Sequence, residues 1–464
     1  MASATHRLAI VKTQRDDNPL ASGLIHSTSI CVGGKPISRL HPSCGSKFWS
    51  DGSVVVFILL AVAAIPGRAQ TLTVLHTFSG SDGAYPFAGL TADTEGNYYG
   101  TASAGGNHCE AQLGCGTVFK LSPSGDGWVF TTLYKFLGES DGFGPAANLV
   151  IGSGGALYGT TNYGGNPGGP FGYGTVFELT PPAQGCPSCP WTHVVLYRFT
   201  GGSDGAYPAQ TGNLTFDSSG NIYGTAIAGG NFIPSCIFQN DGCGVVYELR
   251  PSSGGWTESV LYKFTGGQDG NAPNGGVVFD HGNLYGTTTV GALSYGTIFE
   301  LTPSASGWKE HTLHQFNGVT DGAFPTGNLL LDSSGNLYGT SNATFHSGGS
   351  DYELTPSGDG WNFTVLCVQP YPNDPGGTLI LSNGDLYGVT ANGGSNGFGS
   401  VYGLTPGSDG WSLTIIYNFL TVNDPPNSPN GPNNNVVIDA NGNMYSTANG
   451  GGTYQDGVVF QLTP

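Results

Sequence analysis

Along most of the chain the apolar residues come in short alternating runs, not at helical spacing. Trp128, Phe130, Tyr134 and Phe136 share one parity, as a half-buried strand requires. Gly, Pro, Asn and Asp punctuate these runs, which predicts short strands joined by tight turns. No window is dominated by Ala, Leu, Glu and Lys, so long helices are not expected.

The runs recur. G-[TV]-[VI]-[FY]-x-L-x-P occupies 116–123, 174–181, 244–251, 296–303 and 457–464, with weaker copies at 350–356 and 399–406. A second pattern, G-[NDA]-[LIMY]-Y-[GS]-[TV], carries Tyr99, Tyr158, Tyr223, Tyr285, Tyr338, Tyr387 and Tyr445. A third, W-x4-[LI]-[YHC]-x-[FQ], starts at Trp128, Trp191, Trp256, Trp308, Trp361 and Trp411, with a seventh copy at Leu75–Phe78. A fourth is a short apolar run before a turn, as at 329–332 ahead of Ser333-Ser334-Gly335. Each unit therefore predicts four strands: a (NLxxD), b (NLYGTT), c (GTVFELTP) and d (WxxxxLYxF). Four antiparallel strands in roughly 56 residues make one propeller blade.

The ends sharpen this. A lone d strand at 71–78 precedes the first complete unit, and the last unit has a, b and c but no d. An open stack would need polar caps at both ends, whereas a ring needs none. The expected fold is all-β: a seven-bladed β-propeller of four-stranded antiparallel blades, closed by pairing of the N- and C-terminal strands. A β-solenoid is the structural alternative.

Residues 1–69 read as a leader and 70–464 as the propeller. Val54–Ile65 is a 12-residue apolar run, too short for a spanning helix and right for a signal-peptide core, with a cut expected after Ala69. The stretch ahead of it exceeds an ordinary n-region and points to a later start codon. An uncleaved anchor is the alternative. No membrane span is expected in the mature chain, and secretion or a periplasmic or cell-surface location follows.

Composition agrees: 79 glycines and 29 prolines among 464 residues suit a turn-rich chain, and 11% aromatics supply a core. From Gln70 onward six basic residues face 28 acidic ones, a net of −22. Such a body repels phosphate backbones, which argues against nucleic acid as a partner.

Cys109/Cys115, Cys186/Cys189 and Cys236/Cys243 are local pairs in predicted loops, read as disulfides in an exported chain. A redox CxxC is the alternative at Cys186/Cys189. Cys367, replacing a d-strand tyrosine, is expected to be a buried thiol.

The a–b and c–d turns share one face of a propeller; the b–c loops and d–a crossovers share the other. The second set varies in length, and variable loops on a rigid scaffold are where binding usually sits. The crossovers repeat an acid at Asp82, Asp141, Asp204, Asp269 and Asp321, followed in three cases by an aromatic and a proline: Tyr85-Pro86, Tyr207-Pro208 and Phe324-Pro325. These residues are the candidate ligand set, and could hold a cation such as calcium or a polar ligand such as a glycan. The competing reading is that each Asp-Gly only builds its turn, the carboxylate accepting backbone N–H bonds. No metal ligand set or catalytic residue is assigned. The G-x-S-x-G matches at 201–205 and 393–397 lack the helix that a nucleophile elbow needs.

L-Y-x-F…D-G-x-x-P, G-N-L-Y-G-T and Y-G-T-V-F-E-L-T-P together resemble the bacterial GloVer tandem repeats of "choice-of-anchor" exported proteins, over about residues 71–464. The Gly-Gly and Trp placement also looks kelch-like. The resemblance implies an exported bacterial protein of unassigned activity. Such proteins commonly end in an anchoring segment, which the final strand at Thr463-Pro464 does not supply. The functional expectation is a monomeric binding or scaffold module for a glycan or a surface protein, without enzymatic activity. The alternative is a hydrolase or lyase acting on polysaccharide through acids at the channel mouth.

Overall fold

The computed structural model describes residues 70–464 except 110–112, 126, 166–170, 184–185, 187–188, 235, 237–240, 292–294, 343–347, 359, 371–373, 421–428, 430 and 433. It also describes the backbone of 28–32 and 35–36. The expected signal core and cut lie outside the described residues.

The alternating runs form strands where the repeats place them. In blade 1, strand a is Thr91–Ala92, b is Tyr98–Ala102, c is Thr117–Ser124 and d is Gly127–Lys135, hydrogen-bonded in that order. Blades 2 to 6 repeat the order over 150–198, 206–263, 277–315, 323–368 and 375–418. Blade 7 takes Val437–Ile438, Met444–Ala448 and Val458–Thr463 from the end of the chain. Its d strand is Thr71–Thr77, paired antiparallel with Thr71 opposite Thr463 and Thr77 opposite Val458. Both ends of the repeat region thus share one sheet and the ring is closed. Blade 6 has an addition: Thr28–Val32 pairs with its outer strand Gly410–Asn418, and Lys35–Pro36 pairs with Thr28–Val32 in turn.

The repeated letters have physical reasons. The glycine of strand b leaves room for the c-strand aromatic. A Cβ on Gly100, Gly159 or Gly286 would collide with the ring of Phe119, Phe177 or Phe299, all fully buried. The threonine that follows reaches the next blade. Thr101 Oγ1 donates to the Ala147 carbonyl at 3.3 Å, Thr225 to Gly275 at 2.7 Å and Thr340 to Gly377 at 3.0 Å. The d-strand tryptophan lies against a b-strand tyrosine of the preceding blade, as Trp128 does with Tyr445 (5.6 Å) and Trp361 with Tyr285 (5.5 Å). These edge-on aromatic contacts bury large side chains between blades and hold the ring together.

The a–b turn is built alike in four blades. Asp217 Oδ1 accepts from the backbone N–H groups of Ser219 and Asn221, while Oδ2 accepts from Asn221 Nδ2 and Tyr223 OH. Asp93, Asp332 and Asp439 do the same with Asn97/Tyr99, Asn336/Tyr338 and Asn443/Tyr445. Burial pushes these carboxyls up, but the donated bonds outweigh it and hold all four below the usual Asp value.

Two expectations need correction. The d-strand parity does not run unbroken from Trp128 to Phe136. A β-bulge falls opposite Val118/Phe119, so the pairs step from Thr132 to Tyr134 and leave Leu133 without a partner. The same step recurs at Leu261 and Leu313, where it raises the local twist. Cys367 is fully buried as expected but is disulfide-bonded and not a free thiol. The pairs Cys109–Cys115, Cys186–Cys189 and Cys236–Cys243 are formed.

Candidate functional site

The five crossover aspartates sit directly after their d strands, and each is bonded back to its own strand. Asp141 Oδ2 accepts from Tyr134 OH (2.8 Å), Asp204 Oδ2 from Tyr197 OH (3.0 Å) and Asp269 Oδ2 from Tyr262 OH (3.0 Å). Asp82 and Asp321 meet the imidazoles of His76 (3.0 Å) and His314 (2.9 Å). The other oxygen mostly takes turn N–H groups, such as Ser79 N on Asp82 and Asn317 N on Asp321. Burial raises the Asp141 carboxyl despite the bonds it receives from Leu137 N and Tyr134. None of the five lines either of the two hollows described below on the loop face. Among the described residues no three His, Cys, Asp or Glu side chains are grouped to share a metal ion.

The three candidate aromatics behave differently. Tyr85, Tyr207 and Phe324 have φ of 53°, 55° and 49°, the left-handed region that disfavours bulky residues. The same place in the other crossovers holds Gly144 (φ 69°) and Ala272 (φ 53°). The backbone explains the shape. The N–H of this residue reaches the preceding blade's b–c loop: Tyr207 to Tyr173 O and Phe324 to Tyr295 O, both 2.8 Å. Glycine would serve this clasp without strain, so the rings at 207 and 324 need a further reason.

That reason is a cup of about 690 Å³ at the centre of the loop face, within the size range of small-molecule sites. Phe87, Phe143, Tyr163 and Phe324 supply rings to its wall. Ser103, Asn162, Asn342 and Asn449 line it from the ends of b strands, joined by Asn392, Gln210, Thr211 and Thr326. Among the described residues Asp374 is the single carboxylate in the lining, and it accepts a bond from Asn392 Nδ2 at 3.2 Å. The Thr326 hydroxyl is enclosed with no hydrogen-bond partner. A side hollow of about 230 Å³ opens beside the cup, lined by Tyr207, Ile227, Ala228 and Asp241. Tyr163 and Gln210 line both spaces. The Tyr163 and Tyr207 rings lie 5.7 Å apart.

Under the cup the segments leading into the a strands crowd the axis. Asn148 Nδ2 of blade 2 donates to Asn435 Oδ1 of blade 7 at 3.0 Å, and Asn148 Oδ1 takes Gly89 N–H of blade 1. Asn328 Oδ1 of blade 5 takes the N–H groups of Asn213 (2.8 Å) and Gly276 (3.0 Å) from blades 3 and 4. A methyl on Gly89, Gly212 or Gly276 would collide with a neighbouring blade. These amide clasps constrict the axis and give the cup its floor, where Asn434 Oδ1 is buried without a partner beside Gly377.

Elsewhere a larger, shallow groove of about 1210 Å³ runs between blades 1 and 2 on the opposite side, with Tyr99, Lys120 and Trp191 on its walls. At the blade 2–3 contact, burial and then the nearby Asp204 push Glu258 up to about 7.

The cup-lining amides escape sequence reading because they share a position and not a residue type. Three residues after the b-strand glycine stand Ser103, Asn162, Ile227, Thr289, Asn342 and Ala391. Of these, Ser103, Asn162, Asn342 and Ala391 line the cup.

The Gloeobacter/Verrucomicrobia repeat family matches residues 61–242 and 238–460. The chain belongs to this family. Repeats of the family therefore fold here as propeller blades, seven to the ring. No curated protein matches. Among solved structures, a proposed oxidoreductase (glucose dehydrogenase) of Thermus thermophilus is 15% identical, covering 85% of this chain and 100% of its own, with TM-score 0.40. A proposed 6-phosphogluconolactonase of Bacteroides uniformis is also 15% identical, covering 71% and 83%, with TM-score 0.43. Likenesses this distant do not speak to the activity of this chain.

Proposed function

We propose that this family member is an exported binding and scaffold module whose cup holds a segment of polysaccharide outside the cell or at its surface. The carrying observation is the lining: aromatic faces alternate with neutral amides and hydroxyls, and among the described residues no Lys, Arg or His is present. Sugars offer C–H faces that pack on rings and hydroxyls that pair with amides in both senses. Three formed disulfides in surface loops fit an oxidising compartment, and no helix among the described residues is long and apolar enough to cross a membrane. The catalytic alternative has less behind it, because the repeated aspartates are bonded to their own d strands and do not line the cup. A glycan array probed with the purified protein tests the reading. Hits that disappear in Tyr163→Ala support it; an array without hits, or hits indifferent to Tyr163, would remove it.

A further inference from the structure

The two adjoining hollows and the placement of charge narrow the ligand. We propose that the cup and its side hollow together bind an amino-sugar oligosaccharide, with protonated amines facing Asp374 and Asp241. This rests on the polysaccharide reading above.

Three observations carry it. First, the spaces adjoin: Tyr163 and Gln210 line both, so a ligand reaching over these two side chains would occupy cup and hollow together. A single sugar would not need the second space, whereas a short chain would. Second, among the described residues each space has one carboxylate and no cation. Asp374 is partly buried in the cup, and Asp241 is exposed at the hollow. The six basic residues after Gln70 all lie on c or d strands, the outer half of the blades. Four of them are occupied there. Lys135 Nζ donates to Ser81 O, Arg198 Nε to Ser140 O, Arg250 pairs with Glu248 at 2.8 Å, and Lys120 sits over the Tyr99 ring. Lys135, Arg198 and Lys263 end d strands at the loop face, but among the described residues neither they nor any other basic side chain lines the cup or its side hollow, on a body already at net −22. Such a mouth repels uronic acids and sulfated sugars and gathers cations. Third, Tyr163 and Tyr207 set two ring faces at the junction between the carboxylates. Aromatic faces attract ammonium groups as well as sugar C–H faces, and Tyr207 holds its ring there from a strained left-handed backbone.

Neutral glucans satisfy the rings and amides but bring no positive charge toward the two carboxylates. A 2-amino-2-deoxyhexose chain satisfies all three kinds of group. N-acetylation removes the positive charge while keeping the ring and the linkage, so paired oligomers isolate the electrostatic part.

The test is calorimetric titration of the full protein with three tetrasaccharides: β-1,4-glucosamine, its fully N-acetylated form, and cellotetraose. It is run at low salt and about pH 6, where the sugar amines are protonated. The expected result is binding of the amine oligomer at least about tenfold tighter than the other two, a difference of about 1.4 kcal/mol. That ratio should fall to within about threefold in the Asp374→Asn, Asp241→Asn double variant, and shrink with added salt. Far-ultraviolet circular dichroism confirms that the variant is folded. If the uncharged oligomers bind equally well or better, or if the double variant keeps the tenfold ratio, this inference is overturned while the polysaccharide reading stands. If none of the three oligomers binds and the array is also blank, both fall.

Discussion

Asn328 offers the sharpest test of how the ring is clasped. Its Oδ1 receives two backbone N–H groups, from Asn213 and Gly276, which belong to two other blades. The side chain is 7% exposed. In Asn328→Ala both donors lose their acceptor in a site closed above by the cup floor. An orphaned buried donor costs about 1–3 kcal/mol, so the pair predicts a loss of roughly 2–5 kcal/mol. Asn342→Ala is the control: that residue lines the cup, and its side chain is not among the clasps, so a change of about 0.5 kcal/mol or less is expected. Equilibrium urea unfolding of the two variants, followed by tryptophan fluorescence, measures both. A loss below about 1 kcal/mol for Asn328→Ala, or one equal to the control, would show that water serves those N–H groups and that the amide clasp is not what holds the axis.

Other consequences can be checked separately. Phe324→Gly relieves a left-handed phenylalanine, so stability should stay within about 1 kcal/mol of wild type, while glycan affinity falls about tenfold; strongly reduced stability with unchanged binding would contradict the role given to that ring. Glu258, pushed up to about 7 by burial and Asp204, has a folded pKa above its unfolded one, so the fold favours its protonated form. Stability should therefore decline as pH rises from about 4.5 through about 7, and Glu258→Gln should flatten that slope, with a gain on the order of 1 kcal/mol at about pH 8 after allowing for solvent screening; thermal melts across pH decide it. The four a–b turn aspartates shift the other way, their folded pKa values lying below the unfolded ones. Their stabilisation is lost as pH falls through the acid range, and Asp217→Asn should lose less stability between neutral and acid pH than wild type does. Deleting 71–77 removes the d strand of blade 7 and exposes the edge of Val458–Thr463; the shortened protein should aggregate or elute as larger species in gel filtration, and a monomer of unchanged stability would argue against closure by that strand.

The blade and its count were legible because each repeated letter answers a local need. The b-strand glycine admits a c-strand ring, and the d-strand tryptophan meets a neighbouring tyrosine, so motif spacing carries the fold. Closure was legible from a missing strand at one end and a surplus strand at the other. The site was less so. The crossover aspartates repeat as a ligand ring would, yet each is taken by the d-strand Tyr or His six or seven residues earlier, an offset already visible in the sequence. Phe324 and Tyr207 do reach the hollows, whereas Tyr85 lines neither. The amides of the cup come from positions whose residue type changes from blade to blade, and only the ring symmetry brings them together. Asp241 belongs to no repeat motif, whereas Asp374 stands before the crossover proline Pro375, where other blades carry Tyr85, Tyr207 or Phe324. The bulge at Leu133 was hidden because one extra residue leaves the apolar composition of the strand unchanged.

The central claim is that ligand enters the loop-face cup and not another surface. A photoreactive diazirine-bearing tetrasaccharide, irradiated with the protein and followed by peptide mapping, tests it directly. Labels are expected on peptides containing Ser103, Tyr163 and Phe324, which come from different blades, with competition by unlabelled sugar. Competable labels confined to the opposite groove around Tyr99, Lys120 and Trp191 would contradict it.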